Sequence, residues 1–381
     1  MENAKAPKLA VVLSGGGARA AYQAGVLAAI ADMLPAARPL PFRIVCGTSA
    51  GAINAGAIAA GARHFRAATH ALCDIWSRLH VHDIYRSDAA HLVASGGRWF
   101  SSMLPGLGHR RPRSLLDNAP LAELLTREIR FNAIHDAIDS RLLDALTVTA
   151  SSYTTGLSVS FCTAGPDIAM WQRAQRVGIR TDIRVPHLVA STAIPFVFAP
   201  MRIGDEYFGD GAVRQVAPTA PALHLGADRI LVIGAARASE DADAPRGGPS
   251  PSVAQIGGHV LSSIFTDALG TDLEKVRLIN IAVGHIGEER LAARKVPMWN
   301  VQLIAIAPST PLEDIALEHV GELPRAMRIL LGSLGGTREG GSGLLSYLLF
   351  EQGFMRRLIA EGRRDAEAKR DELLAFFDGA L

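Results

Sequence analysis

The sequence predicts an α/β protein with a central, mainly parallel sheet, and three observations support this fold class. Short apolar runs of strand length alternate with Ala-rich helical runs at the start of the chain, and glycines separate each strand from the next helix. The chain has 381 residues, 49% of them hydrophobic, which is enough for a large core. A strand, helix, strand and helix at this spacing form a βαβ unit, whose parallel strands are covered on both faces.

Two strand–helix units open the chain. Leu9–Leu13 is an apolar run that ends in a glycine cluster, and an Ala- and Leu-rich helix is predicted over 18–34. A second strand over 42–46 precedes a helix of small residues over 52–62. The same criteria predict later strands over 142–150, 157–163, 229–234 and 300–307, with helices after them.

The chain is expected to divide into one large domain and a helical extension. The domain covers 1–310, with a helical cap inserted at about 80–140 and a mobile loop at about 239–258, where polar residues, Pro and Gly are frequent. Residues 311–381 are predicted to form a C-terminal helical extension with one apolar face and one charged face.

Composition excludes several classes of protein. The 39 basic and 37 acidic residues leave a net charge of +2, so no nucleic-acid partner is expected. The longest apolar runs have the length of a strand, so no membrane span is predicted. Cys46, Cys73 and Cys162 fit neither a disulfide framework nor a zinc site. We therefore expect a cytoplasmic protein without a bound metal.

Residues 47–51 have the sequence Gly-Thr-Ser-Ala-Gly, which fits the nucleophile-elbow pattern G-x-S-x-G. A buried strand before the turn and a helix after it would expose the Ser49 hydroxyl and direct the helix N-terminus towards it. The same letters also occur at ordinary helix starts in sequence rich in Gly and Ala. The predicted strand immediately before Gly47 favours a nucleophile, with Gly47 and Gly51 as the small flanking residues.

Gly15, Gly16 and Gly17 lie between the first strand and the first helix. Together with Ala20 they fit the dinucleotide-binding pattern G-x-G-x-x-A, which requires an acidic residue at the end of the next strand. The sequence there is Ile-Val-Cys-Gly over 44–47, so this interpretation fails. The same glycines suit an oxyanion hole made of backbone N–H groups, and adjacent parallel strands would put it beside the serine.

A nucleophilic serine needs a base, and no histidine is an evident partner. An α/β-hydrolase would carry its elbow later in the chain, with a histidine beside the oxyanion glycines. Asp210 is the outstanding acid because Gly209 and Gly211 flank it, although Gly-Asp-Gly is also an ordinary tight turn. Four histidines are interpreted as loop or surface residues: His187, His224, His259 and His285.

Four separated blocks of this sequence resemble the patatin-like phospholipases. The blocks are Ser-Gly-Gly-Gly-Ala-Arg at 14–19, Gly-Thr-Ser-Ala-Gly at 47–51, Ala-Ser-Thr-Ala-Ile-Pro at 190–195 and Asp-Gly-Ala at 210–212. Their order and spacing agree with the family over residues 9–235. Two departures are Ala20, where the family usually has Gly, and Val216, where many members have Asn. Neither departure removes a catalytic group.

The resemblance implies a three-layer patatin-like fold, in which 1–310 is the catalytic domain, and a serine lipid acyl hydrolase of the phospholipase A or lysophospholipase type. Ser49 would be the nucleophile and Asp210 its base, and no cofactor would be needed. An acyltransferase on the same scaffold and a catalytically silent membrane-binding protein are the alternatives. The remaining site residues would be the oxyanion glycines Gly15, Gly16 and Gly17, and the supporting residues Arg19, Gly47, Gly51 and Gly211. Arg19 would brace the glycine turn or bind anionic head groups.

Residues 96–113 carry arginines among aromatic and aliphatic side chains. They are expected either to form a basic rim in transient contact with an anionic membrane surface, or to cap the core with solvated arginines. The expected partner is then a lipid substrate, at the periphery of a membrane. The candidate lipid-surface residues are Arg98, Trp99, Phe100, Arg110 and Arg111.

Overall fold

The computed structural model describes residues 6–88, 114–235, 250–338 and 340–379, and ten strands within them form one mixed sheet. The strands are β1 (Leu9–Leu13), β2 (Ile44–Thr48), β3 (Ala145–Ser152), β4 (Ser158–Ala164), β5 (Gln172–Arg173), β6 (Arg176–Arg180), β7 (Met201–Ile203), β8 (Glu206–Asp210), β9 (Arg229–Ile233) and β10 (Gln302–Ile306). Their order is β10-β9-β1-β2-β3-β4-β6-β5, and β8 pairs with both β3 and β7.

Helices cover the sheet. They are α1 (Ala21–Met33), α2 (Ala50–Ala60), α3 (Phe65–Arg78), α4 (Val81–Ile84), α5 (Ala119–Glu128), α6 (Asn132–Asp139), α7 (Val185–Ser191), α8 (Ala220–His224), α9 (Val253–Ser262), α10 (Ala268–Ile286), α11 (Glu288–Ala293), α12 (Leu312–Glu318), α13 (Arg325–Ser333), α14 (Ser342–Leu348), α15 (Gln352–Ala368) and α16 (Arg370–Phe377). Short 3₁₀ turns cover Gly17–Ala20, Gly211–Val213 and Val320–Glu322. No helix in the described ranges combines the length and apolar character needed to cross a bilayer.

The centre of the sheet is parallel, as predicted. β10, β9, β1, β2 and β3 run in the same direction, and antiparallel pairing begins where β3 meets β4 and β8. Every residue of β1 is buried, because helices cover both faces of a parallel strand. Leu13 pairs with Gly47 on one side and Ile233 on the other. The turns after β1 and β2 therefore lie side by side, and the α/β fold class is confirmed.

Two predicted boundaries need correction. The helix predicted over 18–34 starts with a 3₁₀ turn, because Gly17 has a φ of 53°, and regular α-helix begins only at Ala21. Residues 239–249 of the predicted loop lie outside the described residues. The loop prediction is wrong for 253–258, since α9 begins at Val253 with the Ser252 side chain accepting the Gln255 N–H as an N-cap. Within the predicted cap at about 80–140, the described residues form α4, α5 and α6.

A π-helical turn over Ser263–Asp267 joins α9 to α10. The turn carries Phe265, whose ring lies 5.3 Å from that of Tyr347, centre to centre. A side chain at Gly15 would collide with the Phe265 ring, so this ring covers the glycine turn. π-Helical turns occur often at functional sites, where the extra residue changes the direction of a side chain.

The C-terminal helices pack on α1 in the same core as the sheet. Gly25 of α1 lies directly against the backbone of α15 at Ile359, which allows the two helices to approach closely. The Tyr22 hydroxyl donates to Asp365 at 2.9 Å, across the same contact. The first helix of the chain is therefore covered by one of the last.

Candidate active site

The turn between β2 and α2 has the geometry of a nucleophile elbow. Ser49 has a φ of 55° and a ψ of −132°, and α2 begins at the next residue. A positive φ at a residue other than glycine costs energy and persists only where surrounding contacts hold it. The Ser49 N–H supplies one such contact by donating to the Ser191 hydroxyl at 2.8 Å.

The structure brings Ser49 and Asp210 into direct contact. The Ser49 hydroxyl donates to Asp210 Oδ2 at 2.6 Å, and both residues are 1% exposed. Asp210 is the last residue of β8, and its other carboxylate oxygen accepts the Ala212 N–H at 3.0 Å. Its own N–H donates to the Ala193 carbonyl at 2.8 Å. These bonds hold the carboxylate facing the serine.

Burial changes the acidity of Asp210. Removal from water disfavours the charged form and raises the pKa of the carboxyl to about 7, although the hydrogen bonds from Ser49 and Ala212 act in the opposite direction. A carboxylate with a pKa near neutrality can accept a proton from an alcohol more readily than an exposed aspartate can. Among the described residues, no histidine hydrogen-bonds Ser49 or Asp210.

The glycine turn lies beside Ser49. A Cβ on Gly15 would be 3.1 Å from the Ser49 Cβ, and one on Gly16 would collide with the Ala235 side chain. Gly17 has a positive φ, and a Cβ there would lie 2.5 Å from the Tyr347 carbonyl oxygen. The turn therefore presents backbone without side chains next to the serine.

The three supporting glycines permit close approaches of the backbone around the serine and the aspartate. A Cβ on Gly51 would collide with the Leu13 carbonyl, so α2 could not begin so close to β1. Gly211 lies in the same way against the Thr149 carbonyl of β3, and Gly47 lies against the start of α2.

Arg19 is buried, and its guanidinium is surrounded by residues of the C-terminal helices. Its Nε donates to the Ser346 hydroxyl at 2.8 Å, and its Nη2 lies 3.3 Å from a carboxylate oxygen of Glu313. Its Cζ lies 4.2 Å from the centre of the Tyr347 ring, a cation–π contact. These contacts connect the residue after the glycine turn to the C-terminal helices, and binding of a head group by Arg19 would require their release.

The sequence pattern did not predict the structural role of Ser191. Its hydroxyl accepts from Ser49 N–H and donates to the Thr149 carbonyl at 2.6 Å, so it connects the elbow to β3. The block at 190–195 marked this segment only through its resemblance to the family. Thr48 is connected to the same strand, because its hydroxyl donates to Gln215, whose amide donates to the Thr149 hydroxyl.

A second unpredicted group is a chain of buried side chains under the glycine turn. The Gln23 amide donates to the Ser14 carbonyl at 2.9 Å and accepts from Asn54, and Asn54 accepts from the Trp76 indole at 2.8 Å. Both amides are completely buried. Their signal in the sequence is weak, because each is one polar residue in an Ala-rich helix.

Ser49 opens onto an apolar cavity with about 770 Å³ of empty space, part of it open to solvent. Gly17, Thr192 and Ile194 lie on the lining with it, and α2, α3 and α5 form most of the wall. Tyr347 and Phe350 complete the wall from the C-terminal part of the chain. The cavity suits a chain of methylene groups.

The other predicted residues lie elsewhere. His187 is on α7 and is buried, with its ring 4.7 Å from that of Phe161, centre to centre, so its interpretation as a loop or surface residue is wrong. No group of three or more His, Cys, Asp or Glu side chains in the described residues could hold a metal ion. The candidate lipid-surface residues lie outside the described residues: Arg98, Trp99, Phe100, Arg110 and Arg111.

Comparisons with known proteins were made for the whole chain. The family model of the patatin-like phospholipases matches residues 11–223, more than half of the chain. One matching solved structure is the crystal structure of VipD from Legionella pneumophila, at 13% identity and a TM-score of 0.34, covering 93% of this chain and 67% of that one. The comparison with curated proteins gave no match. The extent of the family match shows that this chain belongs to the patatin-like phospholipase family.

Proposed function

We propose that this protein is a serine acyl hydrolase that cleaves fatty acyl esters of phospholipids or lysophospholipids. The observation that carries the proposal is the 2.6 Å hydrogen bond from Ser49 to the buried Asp210 carboxylate, next to an apolar cavity. Membership of the patatin-like phospholipase family supports lipid acyl hydrolysis in general. The assignment of Ser49 and Asp210 as a catalytic dyad and the choice of phospholipids or lysophospholipids as substrates are proposals that go beyond the family assignment.

In the acylation step, Asp210 takes the hydroxyl proton while Ser49 Oγ forms a bond to the ester carbonyl carbon. The carbonyl oxygen becomes an alkoxide, facing the backbone N–H groups of Gly16 and Gly17. The N-terminus of α2 adds positive potential at the same point. The alkoxide then re-forms the carbonyl, the C–O bond to the alcohol breaks, and the proton on Asp210 passes to the leaving oxygen.

Deacylation repeats these steps with water. Asp210 takes a proton from a water molecule, and the oxygen of this water attacks the acyl carbon of the Ser49 ester. Collapse of the second tetrahedral intermediate releases the fatty acid and returns the proton to Ser49 Oγ. The burial of the carboxylate supports this role, because it keeps the pKa of Asp210 near neutrality.

Active-site labelling tests the proposal. A fluorophosphonate should form an adduct on Ser49, detected by mass spectrometry, and Ser49→Ala and Asp210→Asn should abolish hydrolysis of fatty acyl esters. Ser309→Ala is the matched control, since it removes a hydroxyl that donates to Asp365 in the C-terminal contact and should keep labelling and activity. Hydrolysis that persists in Ser49→Ala would contradict the assignment.

The same assay distinguishes the alternatives. An acyltransferase would form a new ester when an acceptor alcohol is added, whereas a hydrolase releases free fatty acid under both conditions. A silent membrane-binding protein would bind vesicles without labelling of Ser49. The proposed contact with an anionic membrane rests on the sequence of residues 96–113, and loss of binding to anionic liposomes on their deletion, with cleavage of soluble esters intact, would support it.

A further inference from the structure

The wall of the cavity follows the periodicity of three helices. Residues three or four positions apart on one helix face the same side, and each helix contributes such a stripe. The lining residues on α2 are Ala50, Ile53 and Ala57, those on α3 are Leu72, Ile75 and Trp76, followed by Leu79 just after the helix, and those on α5 are Leu121, Leu124, Leu125 and Glu128. The stripe on α5 thus ends at Glu128, the last residue of the helix, which is exposed to solvent and places a carboxylate at the edge of the apolar wall.

The cavity has a measurable length along α2. Ser49 lies at the start of this helix, and Ala57 lines the cavity eight residues later, about 12 Å away at the rise of an α-helix. A Cβ on Gly56 would lie 3.7 Å from Ile129 Cδ1, so the C-terminal end of α5 lies beside the second turn of α2. Glu128 is next to Ile129 and therefore belongs to the end of the cavity remote from Ser49.

Charged side chains surround this remote end. Glu128 lines both the apolar cavity and a second hollow, and its carboxylate accepts from Arg127 Nε at 2.8 Å. Arg78 and Asp83 also line the second hollow but not the cavity. The two spaces share three apolar residues as a partition: Ile75, Leu79 and Leu124. An acyl chain that extends past this partition meets charged and hydrated groups.

We propose that Glu128 and its partition limit the acyl chain, so that the preferred substrates are medium-chain esters of about ten carbons. This inference rests on the proposed function. An extended chain advances about 1.2 Å per bond, so about ten bonds cover the distance from Ser49 to Ala57. Each further methylene passes the apolar wall and gains none of the burial that would otherwise raise kcat/KM about fourfold, and it brings apolar surface against the charged groups around Glu128.

A series of p-nitrophenyl esters from four to sixteen carbons, each below its micellar concentration, tests the inference. The wild-type protein should show the highest kcat/KM near ten carbons and a clear decline by fourteen. Glu128→Leu continues the apolar stripe and should raise the ratio of kcat/KM for fourteen carbons over ten by at least about fourfold. Glu123→Leu is the matched control, because this exposed residue of α5 lies away from the cavity and the ratio should not change.

A second variant tests the limit from the opposite direction. Leu124→Trp enlarges the partition and should move the optimum towards four to six carbons, while Ser49 still reacts with a fluorophosphonate. An unchanged chain-length profile in both Glu128→Leu and Leu124→Trp would overturn the inference. Failure of the wild-type protein to cleave any ester of the series would instead overturn the proposed function, so the two failures are distinguishable.

Discussion

Asp210 differs from an exposed aspartate in how tightly it holds its proton. Its carboxyl is buried, and the two hydrogen bonds that it accepts offset only part of the cost of charging it there, so its pKa is raised to about 7. In the proposed mechanism the ionised form is the active one. The burial of Asp210 therefore sets its pKa and, in the proposed mechanism, the pH range in which it can act as the base.

This leads to a prediction about pH. The kcat/KM for a soluble ester should rise about tenfold per pH unit below pH 7 and level off above it, because a single carboxylate must lose its proton before it accepts one from Ser49. A profile that is flat from pH 5 to pH 9 would contradict the role of Asp210. The measurement is a set of initial rates at constant ionic strength.

The same pKa has a consequence for stability, which provides an independent check. The folded protein keeps a proton on Asp210 at pH values where the unfolded chain, with an ordinary pKa near 4, has lost it. The contribution of Asp210 to stability should fall as the pH rises from about 4 to 7, and Asp210→Asn should remove this contribution. The difference in Tm between Asp210→Asn and the wild-type protein should therefore change in favour of the variant between pH 4 and pH 8. Asp205→Asn, at an exposed position, should show no such trend.

At the scale of the element, helix α2 can lie close to the end of β1 because Gly51 has no side chain. A Cβ there would collide with the Leu13 carbonyl and lie 2.5 Å from the Ser14 carbonyl oxygen. The start of α2 and the glycine turn would have to separate. Both the elbow at Ser49 and the proposed oxyanion hole depend on this contact.

Gly51→Ala should therefore destabilise the fold by about 1–3 kcal/mol or more and lower kcat for ester hydrolysis. Gly284→Ala in α10 is the matched control, because a Cβ there meets nothing within 4 Å and alanine favours a helix by up to about 1 kcal/mol. Urea denaturation of both variants gives the comparison. Equal stability of the two variants would show that the contact between α2 and β1 is not as tight as described.

The extent to which these elements were predictable has a physical explanation. The strands β1 and β9 agree with their predictions to within a residue, because a buried parallel strand is a continuous apolar run bounded by glycine or polar residues. The contact between Ser49 and Asp210 was expected only through resemblance to a family. The role of Ser191 was not predictable, since its hydroxyl contacts a serine 142 residues away and nothing in the local pattern records that distance.

At the scale of the whole molecule, the C-terminal helices belong to the wall of the site. Tyr347 and Phe350 line the cavity, Ser346 accepts from Arg19, and the Tyr347 carbonyl lies against Gly17. The helix α15 packs on α1, where Gly362 lies against the Tyr22 carbonyl, and its Leu358 is completely buried. The division into a domain over 1–310 and an extension over 311–381 remains a prediction. The packing of the C-terminal helices on α1 makes it important to test whether the two parts unfold together.

Calorimetry provides that test. We expect a single unfolding transition, which Leu358→Ala should shift to lower temperature through a loss of about 2–5 kcal/mol, because the substitution leaves a cavity between helices. Leu374→Ala on α16 is the matched control, since Leu374 is 38% exposed and its loss should cost less than about 1 kcal/mol. Two separate transitions would instead identify residues 311–381 as an independently folding extension.

The contact between Arg19 and Ser346 has a consequence for the life of the protein in the cell. The two residues are 327 positions apart, so the contact forms only after the chain has been translated beyond Ser346. A nascent chain on the ribosome already carries Ser49 and Asp210, but the glycine turn has neither its brace nor the Tyr347 carbonyl beside it. If Ser49 is the nucleophile, as proposed, ester cleavage should begin only once the chain has been translated beyond Ser346, and fragments that end before this residue should carry Ser49 without a complete site around it.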